Sequence, residues 1–437
     1  MNARSTTVAA FLLALAVALP AAAQQNAELT PDPESGTPKV IAPSPLAEAE
    51  WNFLKAAGQD KDEDVLELAL PQLEDWLVRN PRHQAAHEAQ LLKANLHYKL
   101  GDYKSALVDL LKYFNACQGA PSAEEAARLF AVIKDSKADK KSRPLLEQLS
   151  AAPADPSEEF NISSMLEQLA AGAGETYYEA LAAEFRSFFN RFPEYPRNDA
   201  VRISLAGLHA KEGKYLPARL EYEKMIQLYP ASPLLAGAKM ALGTTLADNL
   251  KEYDRAIEVF QEITVSFPGT GEAWAAYGRL PALAEKQKKY DLAVETYEKI
   301  IALYPDKDEA YNSYVAEAEV LRGRLKKYPE AVAVLNRLAD KYKGERAVNA
   351  LLLAAEIYRK DLKDTQGEVK MYDRLAEEHA QDPQAPKVLF AAGEIYLKAK
   401  DPDNARKYFD KVLMLYPEDP ISRKATSRVA DIVAGKI

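Results

Sequence analysis

The chain has 437 residues, 48% hydrophobic and 28% charged, which excludes a disordered polymer and leaves room for more than one domain. Ala, Leu, Glu and Lys dominate, Gly numbers only 18, and alternating runs of Val, Ile and Thr are missing, so composition favours helix. A formal net charge of −9 with both signs interspersed gives no basic footprint for nucleic acid and no polybasic strip for a lipid surface.

Residues 1–23 read as an export signal. Arg4 gives a positive start, Val8 to Leu19 is an unbroken apolar run, and Pro20 ends it. Ala21-Ala22-Ala23 then offers a small-residue cleavage pattern before Gln24. The run is too short for a transmembrane segment, and no later stretch is long and apolar enough to be one. The expected location is a bacterial periplasm. No Cys follows the apolar run, so the leader carries no lipoprotein-type acylation site. Residues 24–45, with Pro31, Pro33, Pro38, Pro43 and Pro45 among small and polar residues, read as an extended linker.

From Leu46 the chain reads as helical pairs. A helix over Leu46 to Ala57 precedes a second one marked by Leu66, Ala69, Leu73, Trp76 and Pro81. The same frame returns at Tyr103 with Ala106, Leu110 and Tyr113. Cys117, the only cysteine, ends that apolar helix and reads as a small core residue with no partner for an internal disulfide. Residues 118–174 are the weakest part, interrupted by Pro153, Pro156, Gly172 and Gly174. One degenerate repeat is expected there, with helices over Ala123 to Lys134 and Pro144 to Ser150.

Beyond that point the frame is regular. Tyr215, Ala218, Tyr222, Met225 and Pro230 place one residue per turn on a single helix face and then a stop. Starts fall at Tyr178, Tyr215, Tyr253, Tyr290, Tyr328, Thr365 and Pro402, with steps of 37, 38, 37, 38, 37 and 37. A period this constant dictates the architecture. Residues 418–437 carry Ile421, Ala425, Val429 and Ile432 on one stripe, the pattern of a solvating cap. The repeat array is placed at 46–417. Pro71 and Pro281 lie inside apparent helices and should kink or split them.

A small residue in the first helix, then an aromatic, an Ala, an aromatic, an apolar residue and a Pro occur in order. They are Ala206, Tyr215, Ala218, Tyr222, Met225 and Pro230, and again Gly393, Pro402, Ala405, Phe409, Val412 and Pro417. This resembles the tetratricopeptide repeat family. The step is three or four residues longer than the family's usual one, which suggests longer turns and slightly longer helices. Helix ends such as LYP, RFP and SFP on an exported chain are similar to the cell-envelope branch, which includes Tol–Pal-associated and outer-membrane-assembly repeat proteins. The resemblance implies an all-α, right-handed superhelical solenoid of about ten antiparallel helix pairs with a C-terminal capping helix. It implies too that first helices line a concave groove for a peptide, a helix or a partner domain.

Few residues suggest chemistry. His83 and His87 are four apart on an expected helix, but RHQAAHE lacks the zinc-peptidase pattern, and two solvated histidines are the simpler reading. Carboxylates such as Glu221 and Glu295 pair with Lys224 and Lys299 as ordinary helix-surface partners. No phosphate loop, dinucleotide fingerprint or nucleophile elbow occurs. The expectation is therefore no enzyme, no metal and no cofactor. Most tyrosines belong to the frame. Trp274, in a first helix, is the one aromatic singled out as a groove anchor, against ordinary packing between repeats; His209 is either packed or groove-lining. The expected function is a scaffold or adaptor for protein partners of the cell envelope, without nucleic acid, with peripheral association to an envelope complex. A polysaccharide-binding or export accessory protein and the non-catalytic body of a murein-processing system are the alternatives.

Overall fold

The computed structural model describes residues 44–117, 119–151, 155 and 157–436. The export signal and all of the Pro-rich linker except Ser44 and Pro45 lie outside the described residues, as do Pro153 and Pro156. The chain forms two compact units that divide between Ala89 and Gln90. Among the described residues there is no strand, and no helix is long and apolar enough to cross a membrane.

The first unit is built on one helix pair, α1 (Pro45–Ala57) and α2 (Glu63–Arg79). Asp62 caps α2 by accepting from the Asp64 amide. Trp76 is fully buried, its indole N–H donating to the Ala47 carbonyl at 3.0 Å, with the Trp51 ring 5.5 Å away. His83 closes over this pair. It lies in the turn before α3 (Ala86–Lys99), its ring edge-on to Trp76 at 4.9 Å and its side chain only 3% exposed. The expectation of two solvated histidines on one helix is thus corrected: His83 precedes the helix and packs on an indole, while His87 alone lies on α3, half-buried.

In the second unit each helix from α4 onward packs against its neighbours in sequence, so the unit is a solenoid of helix pairs. After α3 comes α4 (Tyr103–Ala116), then α5 (Ala123–Lys137) with α6 (Arg143–Leu149). The 34-residue α7 (Glu158–Arg191) is non-helical at Ala173 and Tyr177. It folds back there, since Arg191 at one end lies 2.6 Å from Glu158 at the other. Its two arms are therefore one more antiparallel pair. Next stand α8 (Asn198–Lys211) with α9 (Tyr215–Leu228), α10 (Leu235–Thr244) with α11 (Tyr253–Ser266), and α12 (Gly271–Lys286) with α13 (Tyr290–Leu303). They are followed by α14 (Asp308–Val320) with α15 (Tyr328–Lys341), α16 (Glu345–Ile357) with α17 (Thr365–Glu378), and α18 (Ala385–Lys398) with α19 (Pro402–Leu415). The last helix, α20 (Pro420–Val433), buries Ser422 and Ala425 and turns Arg423 and Lys424 outward as a cap.

The repeating frame is the core. Ala218, Ala256, Ala293, Ala331 and Ala405 are all fully buried, as are Phe260, Phe409, Met225, Ile263, Leu338 and Val412. What fits against the aromatic is a small residue on the preceding helix. A Cβ added to Gly243 would lie 2.6 Å from Phe260, and one added to Gly393 would lie 2.5 Å from Phe409. Each pair is a knob in a hole that has no spare volume.

One residue of the step has a local cause. From the small first-helix residue to the start of the second helix is nine residues at Ala206–Tyr215, Pro281–Tyr290 and Gly393–Pro402, and ten at Gly243–Tyr253, Ala318–Tyr328 and Ala355–Thr365. The second set is the set in which the first helix ends in a π turn, at Thr245–Leu250, Leu321–Leu325 and Tyr358–Leu362. The additional residue widens one helical turn, as a single-residue insertion does. Pro71 and Pro281 do not split their helices. Both α2 and α12 run through them unbroken, and Pro281 is buried at the place where Ala206, Gly243 and Gly393 stand.

Two kinds of glycine should respond oppositely to a methyl group. Gly243→Ala should lower stability by about 1–3 kcal/mol through overpacking on Phe260. Gly278→Ala, whose added Cβ meets nothing within 4 Å, should raise it by up to about 1 kcal/mol through helix propensity. Urea unfolding of the two variants checks this, and the reverse order would contradict the packing described.

Candidate partner-binding face and the charges behind it

Second helices spend their aromatic and Ala positions on the core, so an unspent surface is found on the first helices. Gly237, Ala275, Gly278, Ala282, Asn312 and Glu319 are exposed there. Gly237, Gly278 and Gly323 have open space where a side chain would be. An interior helix glycine costs about 1 kcal/mol relative to Ala, and at these three places no neighbour requires it.

The same face holds a hollow of about 290 Å³ lined by Glu285 of α12, Ala316, Glu319 and Val320 of α14, and Gly323 and Arg324 of the following π turn. The Tyr297 phenol donates to Glu285 at 3.0 Å. Burial and then the adjoining Glu285 carboxylate push that phenol well above its usual pKa. Arg324 stands 6.0 Å over the Tyr290 ring. Two carboxylates, one guanidinium and a small-residue floor suit a passing polypeptide with a cationic group. No nucleophile with an adjacent base lines the hollow, and among the described residues no group of three or more His, Cys, Asp or Glu is placed to hold a metal ion.

Trp274 and His209 lie elsewhere. Trp274 stands in the first turn of α12, its ring 4.3 Å from Tyr304 and under the Lys307 ammonium at 4.2 Å. One period on, Tyr311 lies 5.5 Å from Tyr342 and under Arg346 at 4.7 Å. Trp274 is thus one instance of a repeated aromatic–aromatic–cation stack where one pair joins the next. His209 is 8% exposed. Its Nδ1 is 2.9 Å from the Tyr178 hydroxyl, and burial, outweighing Glu221, depresses its pKa. The structure brings neither residue to the hollow.

Behind the face lies a group of buried charges that reading the sequence missed. Lys93 Nζ is 2.6 Å from Glu184 and 3.0 Å from Asp109, Lys112 Nζ is 2.6 Å from Glu184, and His97 Nδ1 is 2.6 Å from Asp109. Burial would raise the Glu184 pKa, but the ammonium groups of Lys112 and Lys93 overcome it and hold the carboxylate ionised far below its usual range. Burial likewise works against the His97 imidazolium, and Asp109 outweighs it, raising that pKa. These residues join α3, α4 and the second arm of α7. Glu221 is a further correction. It is 8% exposed and paired with Arg202 at 2.6 Å as well as with Lys224 at 2.9 Å, so it is a core ion pair and no surface partner. Glu295 and Lys299 do pair at the surface, at 2.7 Å. Cys117 is half-buried and free, with burial pushing its thiol up to about 11.

Glu317 is the least compensated of these groups. It is 1% exposed where Leu205, Leu242 and Leu280 stand in earlier repeats; Arg337 meets one oxygen at 3.1 Å and the other has no hydrogen-bond partner. Burial, only partly offset by Arg337, raises its pKa to about 7.

Models of the tetratricopeptide repeat match residues 240–308, 349–382 and 386–419. No protein of curated function matches the chain in sequence. Among solved structures, a tetratricopeptide repeat protein from Parabacteroides merdae is 14% identical, covering 61% of this chain and 98% of that one with a TM-score of 0.32. PilF of Pseudomonas aeruginosa is 17% identical over 53% of this chain and 98% of that one, TM-score 0.29. RapI in its apo form is 12% identical over 90% and 99%, TM-score 0.34. Likenesses of this size carry no functional argument.

A folded-state pKa above the ordinary carboxylate value of 4.5 fixes the sign of the Glu317 effect. Its contribution to stability is fully present below about pH 4.5 and is lost as pH rises through about 7. Glu317→Gln should flatten that part of the stability–pH curve, by an amount on the order of a few kcal/mol. Urea midpoints across pH 4 to 8, taken as roughly the span of the shift, check it. An unchanged slope in the variant would contradict the account.

Proposed function

We propose that this chain, which carries tetratricopeptide repeats at 240–308, 349–382 and 386–419, is an exported, non-catalytic scaffold. It holds protein partners of the cell envelope against the exposed face of its first helices. The observation that carries this reading is the face itself. At Gly237 of α10, Gly278 of α12 and Gly323 of the turn after α14 it carries glycines that packing does not demand, and the hollow with Glu285, Glu319 and Arg324 opens on it. A preformed surface of this kind binds without a folding cost. The periplasm is the proposed location, on the strength of the apolar run at Val8 to Leu19 and the Ala-rich pattern before Gln24.

A photoactivatable residue at Gly278, Asn312 or Glu319 should trap a defined envelope protein in cells, whereas one at Glu258 or Glu295 on second helices should not. The mature protein from the periplasmic fraction should begin at Gln24. Equal trapping from both helix sets, or recovery of an unprocessed cytoplasmic chain, would contradict the respective half of the reading.

A further inference from the structure

Between α3 and α4, and in every pair from α8/α9 to α18/α19, the turn between the two helices closes through a residue in the left-handed region. At Gly101 and Gly213 that residue is glycine, with φ of 77° and 68°. In the next five pairs it is lysine: Lys251, Lys288, Lys326, Lys363 and Lys400, with φ between 56° and 60°. Each stands two residues before a second helix begins. The turn then closes by a hydrogen bond from the following amide, as from Lys289 to Ala284, Lys327 to Leu321 and Asp401 to Tyr396. Glycine adopts this conformation without steric cost and lysine does not. The backbone conformation therefore gives no reason for lysine at five places in a row, although a helix C-terminus favours a cation, as where Lys251 Nζ donates to the Asp248 carbonyl.

Their side chains give one. All five residues are exposed. The turns are neighbours along one edge of the stack, since Lys289 reaches Asp254 at 2.8 Å, Lys327 reaches Asp291 at 3.1 Å and Arg322 reaches Asp361 at 2.6 Å, each bridging adjacent turns. Those pairs occupy Asp254, Asp291 and Asp361. Asp364 and Asp401 cap the amides of Gly367 and Asn404 and keep their charge. Lys288, Lys326, Lys363 and Lys400 are left with no ion pair among the described residues. They form a basic row that no stretch of sequence displays, because its members are one repeat apart.

We propose that this edge, from α12 to α19, docks on a surface of anionic lipid headgroups. The row is open, not a cleft, and it consists of flexible, strongly hydrated ammonium groups suited to diffuse attraction. An acidic protein partner would need an apolar centre to its interface, and none of the exposed large hydrophobic residues lies in these turns. A single-stranded nucleic acid would need exposed aromatic platforms, and the tyrosines that begin α13 and α15 are half-buried. The net charge of −9 sharpens the geometry. The rest of the chain is repelled, so the edge alone faces the surface.

The test uses the full-length chain without its leader and a quadruple variant, Lys288→Gly, Lys326→Gly, Lys363→Gly and Lys400→Gly. Glycine suits each turn, so the variant should melt no lower than the parent. Sedimentation with phosphatidylglycerol–phosphatidylcholine vesicles at low salt should show binding of the parent and little binding to phosphatidylcholine alone. The variant should bind the anionic vesicles at least about tenfold more weakly, and salt should abolish the difference. Equal binding to both vesicle types, or an undiminished variant, would overturn the proposal. Retention on a soluble polyanion without vesicle binding would assign the row to that polymer instead. A variant that melts lower yet binds as the parent does would reduce the lysines to helix-end stabilisers.

Discussion

Everything in the second unit depends on how closely two helices of a pair can approach. Gly243 and Gly393 leave no room for a Cβ beside Phe260 and Phe409, and the buried alanines at 218, 256, 293, 331 and 405 close the same seam from the other side. Small against large at fixed places sets the helix separation, and the separation sets the stacking of one pair on the next. The seam absorbs an added residue only where a turn can widen. That is why three first helices end in π turns while the frame stays in register.

This dependence explains what was legible in the sequence. The helix pairs, the degenerate pair at α5 and α6 and the terminal helix follow from a period that the seam enforces. The starts expected at Ala123 and Pro144 fall within a residue of those observed, while the first of these helices runs three residues beyond Lys134 to Lys137. Features that do not repeat were harder to read. Asp109, Glu184 and Glu221 each stand six residues after a frame start, where later repeats have Thr296, Val334 and Met371. An acid at a core place was a signal, but its compensating lysines and arginine come from other helices, and only the fold brings them together. His83 was misread for a related reason: its environment is set by Trp76, seven residues earlier in the chain on the preceding helix.

The candidate site was legible only by subtraction. Once the frame is assigned to packing, the first helices remain, but nothing in the chain order marks Glu285, Glu319 and Arg324 as neighbours. Trp274 attracted notice as a lone indole and proves to be one of a series with Tyr311, joined to Tyr304 as Tyr311 is to Tyr342. The buried ion group at α3, α4 and α7 is stabilising only as a set, since removing one partner leaves an uncompensated charge. It lies where the period is least regular, so specific charge pairing there stands in for the uniform seam used elsewhere.

The division of labour between helices is the central claim, and tolerance to substitution in cells tests it most directly. A scan of every exposed position for function, with protein abundance measured in parallel, should find Gly237, Gly278, Asn312 and Glu319 sensitive at normal abundance. Exposed second-helix positions such as Glu258 and Glu295 should tolerate most changes. Sensitivity concentrated on the second helices, or sensitivity on the first helices that always follows loss of abundance, would contradict it.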